Sequence, residues 1–209
     1  MKKYLTEGIG TFFLVLTLVL TNNNGAGALA PLAVGSILIA MIYAGSHISG
    51  AHFNPAVSLA MLMRGKIDRI DFTYYVLAQV AGGALAAFLG VFLLGCMGAT
   101  EIRPHQNQAL CSIMAEFLGA FALTYVVLQV MNREGDQQSS FFGLACGFTY
   151  MAAIYGLGAI SGGAFNPAVA IGMALSGMAS WADLWIYFVG ALLGAAVAAT
   201  TFQLMMNDE

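Results

Sequence analysis

Charged side chains are confined to short stretches of this chain, and long apolar runs fill the space between them. No Asp, Glu, Lys or Arg occurs in residues 8–63, 72–100, 137–182 or 184–207. One membrane-spanning helix needs about 20 apolar residues, so the first and third runs each hold more than one membrane element. The pattern predicts spans over roughly 4–21, 26–46, 70–95, 110–131, 140–159 and 181–205. After the second and the fifth span comes a shorter helix-compatible segment, the first reaching Met63 and the second ending at Gly177. Each half thus reads span, span, half-helix, span. Three spans per half is an odd number, so the second half enters the membrane from the opposite face. The expected fold class is an all-α integral membrane protein: six transmembrane helices plus two re-entrant half-helices in an inverted repeat. Residues 1–100 and 110–209 are the repeats of a single membrane domain, 1–209.

A short phrase opens both half-helices. Ile48-Ser49-Gly50-Ala51-His52-Phe53-Asn54-Pro55-Ala56-Val57 returns 112 residues later as Ile160-Ser161-Gly162-Gly163-Ala164-Phe165-Asn166-Pro167-Ala168-Val169. Asn caps a helix, Pro suits its first turn and Ala continues it. Non-helical backbone at membrane depth is tolerated only when buried in protein or lining a watery cavity. In an inverted repeat the two half-helices meet end to end near the midplane, and each N-terminus carries about half a positive charge. A cation there is repelled and stripped of water, while a neutral molecule is not. If Asn54 and Asn166 cap through their oxygens, their amide groups remain to donate to a passing oxygen.

Composition agrees with the pattern. Hydrophobic residues make up 60% of the chain and charged residues 8%, against about 25% charged in soluble domains. Net charge is −3, and no basic stretch serves nucleic acid. Lys2, Lys3, Arg64, Lys66, Arg69 and Arg133 fall on one side of the predicted topology and Arg103 on the other. The positive-inside rule then puts both termini in the cytoplasm of a cell-membrane protein. Lys2-Lys3, an apolar run and Ala28-Leu29-Ala30 imitate a secretory signal. Glu7, Gly8 and Gly10 interrupt that run, however, and Glu7-Gly8-Ile9-Gly10-Thr11-Phe12 parallels Glu116-Phe117-Leu118-Gly119-Ala120-Phe121. A removable address would not be duplicated inside the chain. Cys96, Cys111 and Cys146 show no metal-like spacing; no metal or cofactor is expected. Gly and Ala runs such as 81–84 and 190–196 let helices approach closely. Tyr4, Tyr74, Tyr75, Trp181, Trp185 and Tyr187 near span ends read as an interfacial belt.

With its two Asn-Pro-Ala phrases and the Glu7 and Glu116 helices in that order, the chain resembles the aquaporin (major intrinsic protein) family over essentially its whole length. The resemblance implies six tilted helices, two half-helices, one pore per subunit and a homotetramer. It also implies that Glu7 and Glu116, ionisable residues in or near apolar spans, each hold the folded-back loop of a half by accepting backbone hydrogen bonds. For His47 and His52, loop bracing or pore lining is favoured over a pH gate, and His105 in the external loop reads as solvated.

One departure stands out. Most family members place Arg directly after the second Asn-Pro-Ala; here that residue is Val169. Ungapped counting puts the rest of the family's external constriction on Val34, Ile154 and Gly163. Water-selective relatives usually carry an aromatic, a His and the Arg there, and glycerol-conducting relatives keep the Arg beside aromatics. An all-apolar ring conducts through width or gates by dewetting. With Val34 and Gly163 in place of larger residues, width is the expectation.

The expected function is a passive channel for water and small uncharged solutes in the lipid bilayer. The alternative is a glycerol facilitator of broad selectivity. A coupled transporter would need ionisable residues near the midplane, which runs 8–63 and 137–182 lack. The short loops give a junction or scaffold protein little adhesive surface, and no nucleophile, metal cluster or phosphate loop supports an enzyme.

Overall fold

The computed structural model describes residues 1–97, 108–131 and 140–206. Its long elements are α1 (Lys2–Asn23), α2 (Ala30–Ser49), α4 (Arg69–Cys96), α5 (Ala109–Met131), α6 (Phe142–Ser161) and α8 (Leu184–Met206). Two half-helices, α3 (Pro55–Met63) and α7 (Pro167–Leu175), follow the repeated phrases. Six candidate spans are long and apolar enough to cross a membrane, and all six expected spans are found within a few residues. Local chemistry sets the differences. Short 3-10 turns at Gly27–Leu29 and Trp181–Asp183 delay the starts of α2 and α8. At the other end, α2 and α6 run on to left-handed glycines, Gly50 (φ 85°) and Gly162 (φ 91°), which close them as C-caps. The second half-helix stops at Leu175, just before Gly177, whose φ is 82°.

Within each half the first and last helices pack together, α1 on α4 and α5 on α8. The halves join through α2 against α6, while α3 lies on α8 and α7 on α4. Small residues allow these approaches. A Cβ added at Gly82 would overlap the Gly8 carbonyl of α1, and one at Gly194 would overlap the Phe117 carbonyl of α5. At the α2–α6 crossing, a Cβ on Gly35 would stand 2.9 Å from the Gly147 carbonyl oxygen and one on Gly147 2.8 Å from that of Gly35. These pairs occupy matching positions of the two halves.

Basic residues frame one end of the molecule. Lys3 Nζ lies 2.6 Å from Asp71 Oδ2, Tyr4 donates to Asp71 Oδ1 at 2.8 Å, and the Arg64 guanidinium sits 4.1 Å over the Phe202 ring. Arg103, His105 and Arg133 lie outside the described residues.

Gly82→Ala should force α1 and α4 apart and cost about 1–3 kcal/mol, as overpacked cores do. Gly95, with nothing near its Cβ position, is the control: Gly95→Ala should be neutral or mildly stabilising. Thermal unfolding of the detergent-solubilised variants checks both.

Candidate functional site

The two half-helices begin at each other. Asn54 and Asn166 are extended residues that cap α3 and α7: Asn54 Oδ1 accepts from Ala56 N at 2.8 Å and Asn166 Oδ1 from Ala168 N at 2.9 Å. Pro55 and Pro167 take the first helical position, where the missing N–H costs nothing. Each amide then reaches across to the other half. Asn54 Nδ2 donates to the Phe165 carbonyl at 3.0 Å, and Asn166 Nδ2 donates to the Phe53 carbonyl at 2.8 Å. From the sequence alone, both amide groups are expected to be free for a passing oxygen. An amide nitrogen carries two N–H donors, and one of each is engaged here; the second remains.

The loops before the caps are anchored by buried carboxylates. Glu7, fully buried, accepts from Ser49 Oγ (2.6 Å) and His52 N (3.0 Å) on one oxygen, and from Phe53 N (2.6 Å) and Gln79 Nε2 (2.8 Å) on the other. Glu116 takes the matching set in the second half: Ser161 Oγ at 2.6 Å, Ala164 N at 3.0 Å and Phe165 N. Both phenylalanines need this support, because Phe53 (φ 48°) and Phe165 (φ 47°) hold a left-handed backbone that their side chains disfavour.

Tyr75 and Tyr187 are corrections to the interfacial-belt reading. Both are buried, and their hydroxyls donate to the Ser49 and Ser161 carbonyls at 2.7 and 2.8 Å. Tyr74, Trp181 and Trp185 are exposed, as a belt requires. His52 is buried, its Nδ1 3.0 Å from Ser58 Oγ, which also lies 3.0 Å from Gln79 Nε2. Gln79 Oε1 is buried and has no hydrogen-bond partner among the described residues. His47 is exposed on the last turn of α2.

Beside the Asn pair lies a narrow cavity of about 20 Å³, close to the space one water needs. Asn54, Asn166, His52, Cys146 and Tyr150 line it among aliphatic side chains. The proposed constriction residues stand elsewhere. Gly163 (φ 72°) lies against α6, where an added Cβ would be 3.6 Å from Ile154 Cγ2. Val34 and Val169 are buried in the same apolar core against which Ile154 packs. None of the four lines the cavity.

The sequence pattern of the major intrinsic protein family matches residues 1–202. The chain belongs to that family. It is 32% identical to glycerol uptake facilitator protein-like 6 of Lactiplantibacillus plantarum, with the whole of both chains aligned. It is also 32% identical to aquaporin AqpM of Methanothermobacter thermautotrophicus, over 99% of this chain and 98% of the relative. The aquaglyceroporin structure from Plasmodium falciparum superposes with a TM-score of 0.82, covering 98% of this chain and 96% of that one at 20% identity. That last likeness concerns the fold. Membership makes the chain a membrane channel and not an enzyme.

Sequence reasoning missed Gln79, Ser58 and Tyr150. Gln79 and Ser58 have Ala191 and Ala170 at the matching positions, so repetition could not flag them. Tyr75 and Tyr187 were signalled, since they lie 112 residues apart like the motif. Glu7→Gln turns an acceptor oxygen into a donor facing N–H or O–H groups, and should cost on the order of 3 kcal/mol. Thermal unfolding measures it; an unchanged midpoint would mean the loop is held without the carboxylate.

Proposed function

We propose that this chain is a passive channel for water and small uncharged solutes, built as one membrane domain of two inverted repeats, residues 1–100 and 110–209. The reciprocal Asn54–Asn166 pairing carries this reading. It brings two half-helix N-termini, each worth roughly half a positive charge, to one buried point beside the cavity. A cation reaching that point loses hydration and meets like charge. A neutral molecule carries no charge to be repelled and finds one unused amide N–H on each Asn to replace part of its lost hydrogen bonding. Pore diameter, lining donors and electrostatic barriers together set selectivity in aquaporin-type pores. Val34, Ile154, Gly163 and Val169 would form an outer constriction without charge, so ion exclusion rests on the half-helix termini.

A second reading, a glycerol-type facilitator, is favoured by one observation: Gly163 contributes no side chain where an aligned ring would narrow. The likeness to a glycerol uptake facilitator points the same way. From the basic residues gathered at one end we infer cytoplasmic termini in the cell membrane, and from family resemblance a homotetramer.

Stopped-flow light scattering on proteoliposomes tests the reading. Shrinkage in sucrose should be faster than in empty vesicles, and reswelling in glycerol as fast as in a glycerol facilitator would move the conclusion to the second reading. If neither rate exceeded the empty-vesicle value, the channel assignment would fail. The double variant Asn54→Asp, Asn166→Asp loses both cross-bonds and places negative charge on the two termini. It should pass sodium current in planar bilayers where the unaltered protein is silent; continued silence would place ion exclusion elsewhere.

A further inference from the structure

Helices α2 and α6 cross near Gly35 and Gly147 and run antiparallel, Gly35 meeting Met151 and Gly147 meeting Ile39, so in this inverted repeat matching residues of the two helices sit at mirrored depths. Residues four apart share a helix face. Along α2 these are Val34, Leu38 and Ile42; along α6 they are Cys146, Tyr150 and Ile154. The repeat equates Val34 with Cys146, Leu38 with Tyr150 and Ile42 with Ile154. Val34 then shares a level with Ile154 and Ile42 with Cys146, leaving Leu38 and Tyr150 as the middle rung; Leu38 and Tyr150 line the cavity with Asn54 and Asn166, as do Ile42 and Cys146 to one side. The outer residues Val34 and Ile154 lie one turn away and do not line it.

Tyr150 is fixed as well as large. It is 1% exposed. Its hydroxyl donates to the Ala164 carbonyl at 2.8 Å, in the loop just before Asn166. Its ring meets that of Phe165 edge to face at 6.1 Å, and Phe165 is itself held by Glu116. Leu38, the counterpart, is smaller and has no hydroxyl to tie it to the opposite loop. Enclosed in the core and packed against Phe165, the ring itself cannot swing aside as a solute arrives.

We propose that Tyr150 is the size-determining residue of the pore, placing the limiting constriction at the centre beside the Asn pair. This rests on the channel reading above. The cavity of about 20 Å³ admits water-sized molecules one at a time, and a three-carbon polyol is excluded by the ring.

The test is stopped-flow permeability to water, urea and glycerol in proteoliposomes, with variants first checked for monodisperse elution. Tyr150→Leu makes the rung symmetric and should raise the glycerol-to-water ratio roughly tenfold, equivalent to about 1.4 kcal/mol of lost barrier. Tyr150→Phe keeps the ring and should retain the unaltered ratio. Leu38→Phe, which narrows the same rung from the other side, should lower water permeability roughly tenfold, and it keeps the test decisive if Tyr150→Leu fails to fold. The proposal is overturned if Tyr150→Leu leaves the ratio unchanged, if Leu38→Phe leaves water flow unchanged, or if the unaltered protein already passes glycerol as fast as Tyr150→Leu does. Those results would leave the channel reading standing. An unaltered protein that conducts nothing removes the channel reading; Tyr150→Leu opening it would still support the constriction, and its staying closed would overturn both.

Discussion

Two stretches of non-helical backbone, residues 50–54 and 162–166, sit where neither lipid nor an apolar core can hydrogen-bond a peptide group. A polar group left bare at that depth costs several kcal/mol, so each loop needs an internal partner that takes several donors at once. A carboxylate has the right valence, with two acceptor oxygens and no hydrogen to place. Glu7 collects a serine hydroxyl, two peptide N–H groups and the Gln79 amide; Glu116 collects a serine hydroxyl and two peptide N–H groups. The left-handed turn at Phe53 or Phe165 costs about 1–2 kcal/mol. Hydrogen bonds to a charged group return about 1.5–3 kcal/mol each, and two of them fall on the peptide groups of each turn. The anchoring wins, and the strained turns persist.

Everything downstream inherits its position from those anchors. With the loop fixed, the Asn that follows it can cap its half-helix and reach the opposite loop's carbonyl at the same time. Because the two cross-bonds are reciprocal, sliding one half past the other breaks both. The glycine crossing of α2 and α6 and the seating of each half-helix on the far half's last helix make the same demand on register. The Asn pair is thus a structural joint before it is anything else, and the amide hydrogens left over are what a permeating molecule would meet.

Much of this was legible in the sequence. Charge-free runs gave six spans, and the repeated phrase placed both half-helices to within two residues, because Asn, Pro and a left-handed glycine act locally. The carboxylate supports were legible only through resemblance and repetition, since nothing local marks Glu7 as facing residues 49 to 53. The cross-bond between halves was not legible: it depends on how two distant loops face each other. Tyr75 and Tyr187 misled for a related reason. A tyrosine near a span end reads as interfacial whether its hydroxyl points to headgroups or to a buried carbonyl, and only the fold distinguishes them.

The repeat also separates what the fold requires from what it does not. Positions that match in both halves, such as Glu7 with Glu116, Tyr75 with Tyr187 and Gly82 with Gly194, are fixed by the same packing and hydrogen-bond demands arising twice. Positions that differ are released from those demands. His52, Ser58 and Gln79 form a polar cluster in one half, where the other has Ala164, Ala170 and Ala191; Tyr150 faces Leu38. A scaffold satisfied by alanine at one site does not need histidine, serine or glutamine at its mate, nor a phenol where leucine suffices. These unmatched residues also meet at the cavity: His52 and Tyr150 line it, with Ser58 and Gln79 hydrogen-bonded in line behind His52. The symmetric residues hold the two halves together, and the asymmetric ones are where this chain has room to choose what passes.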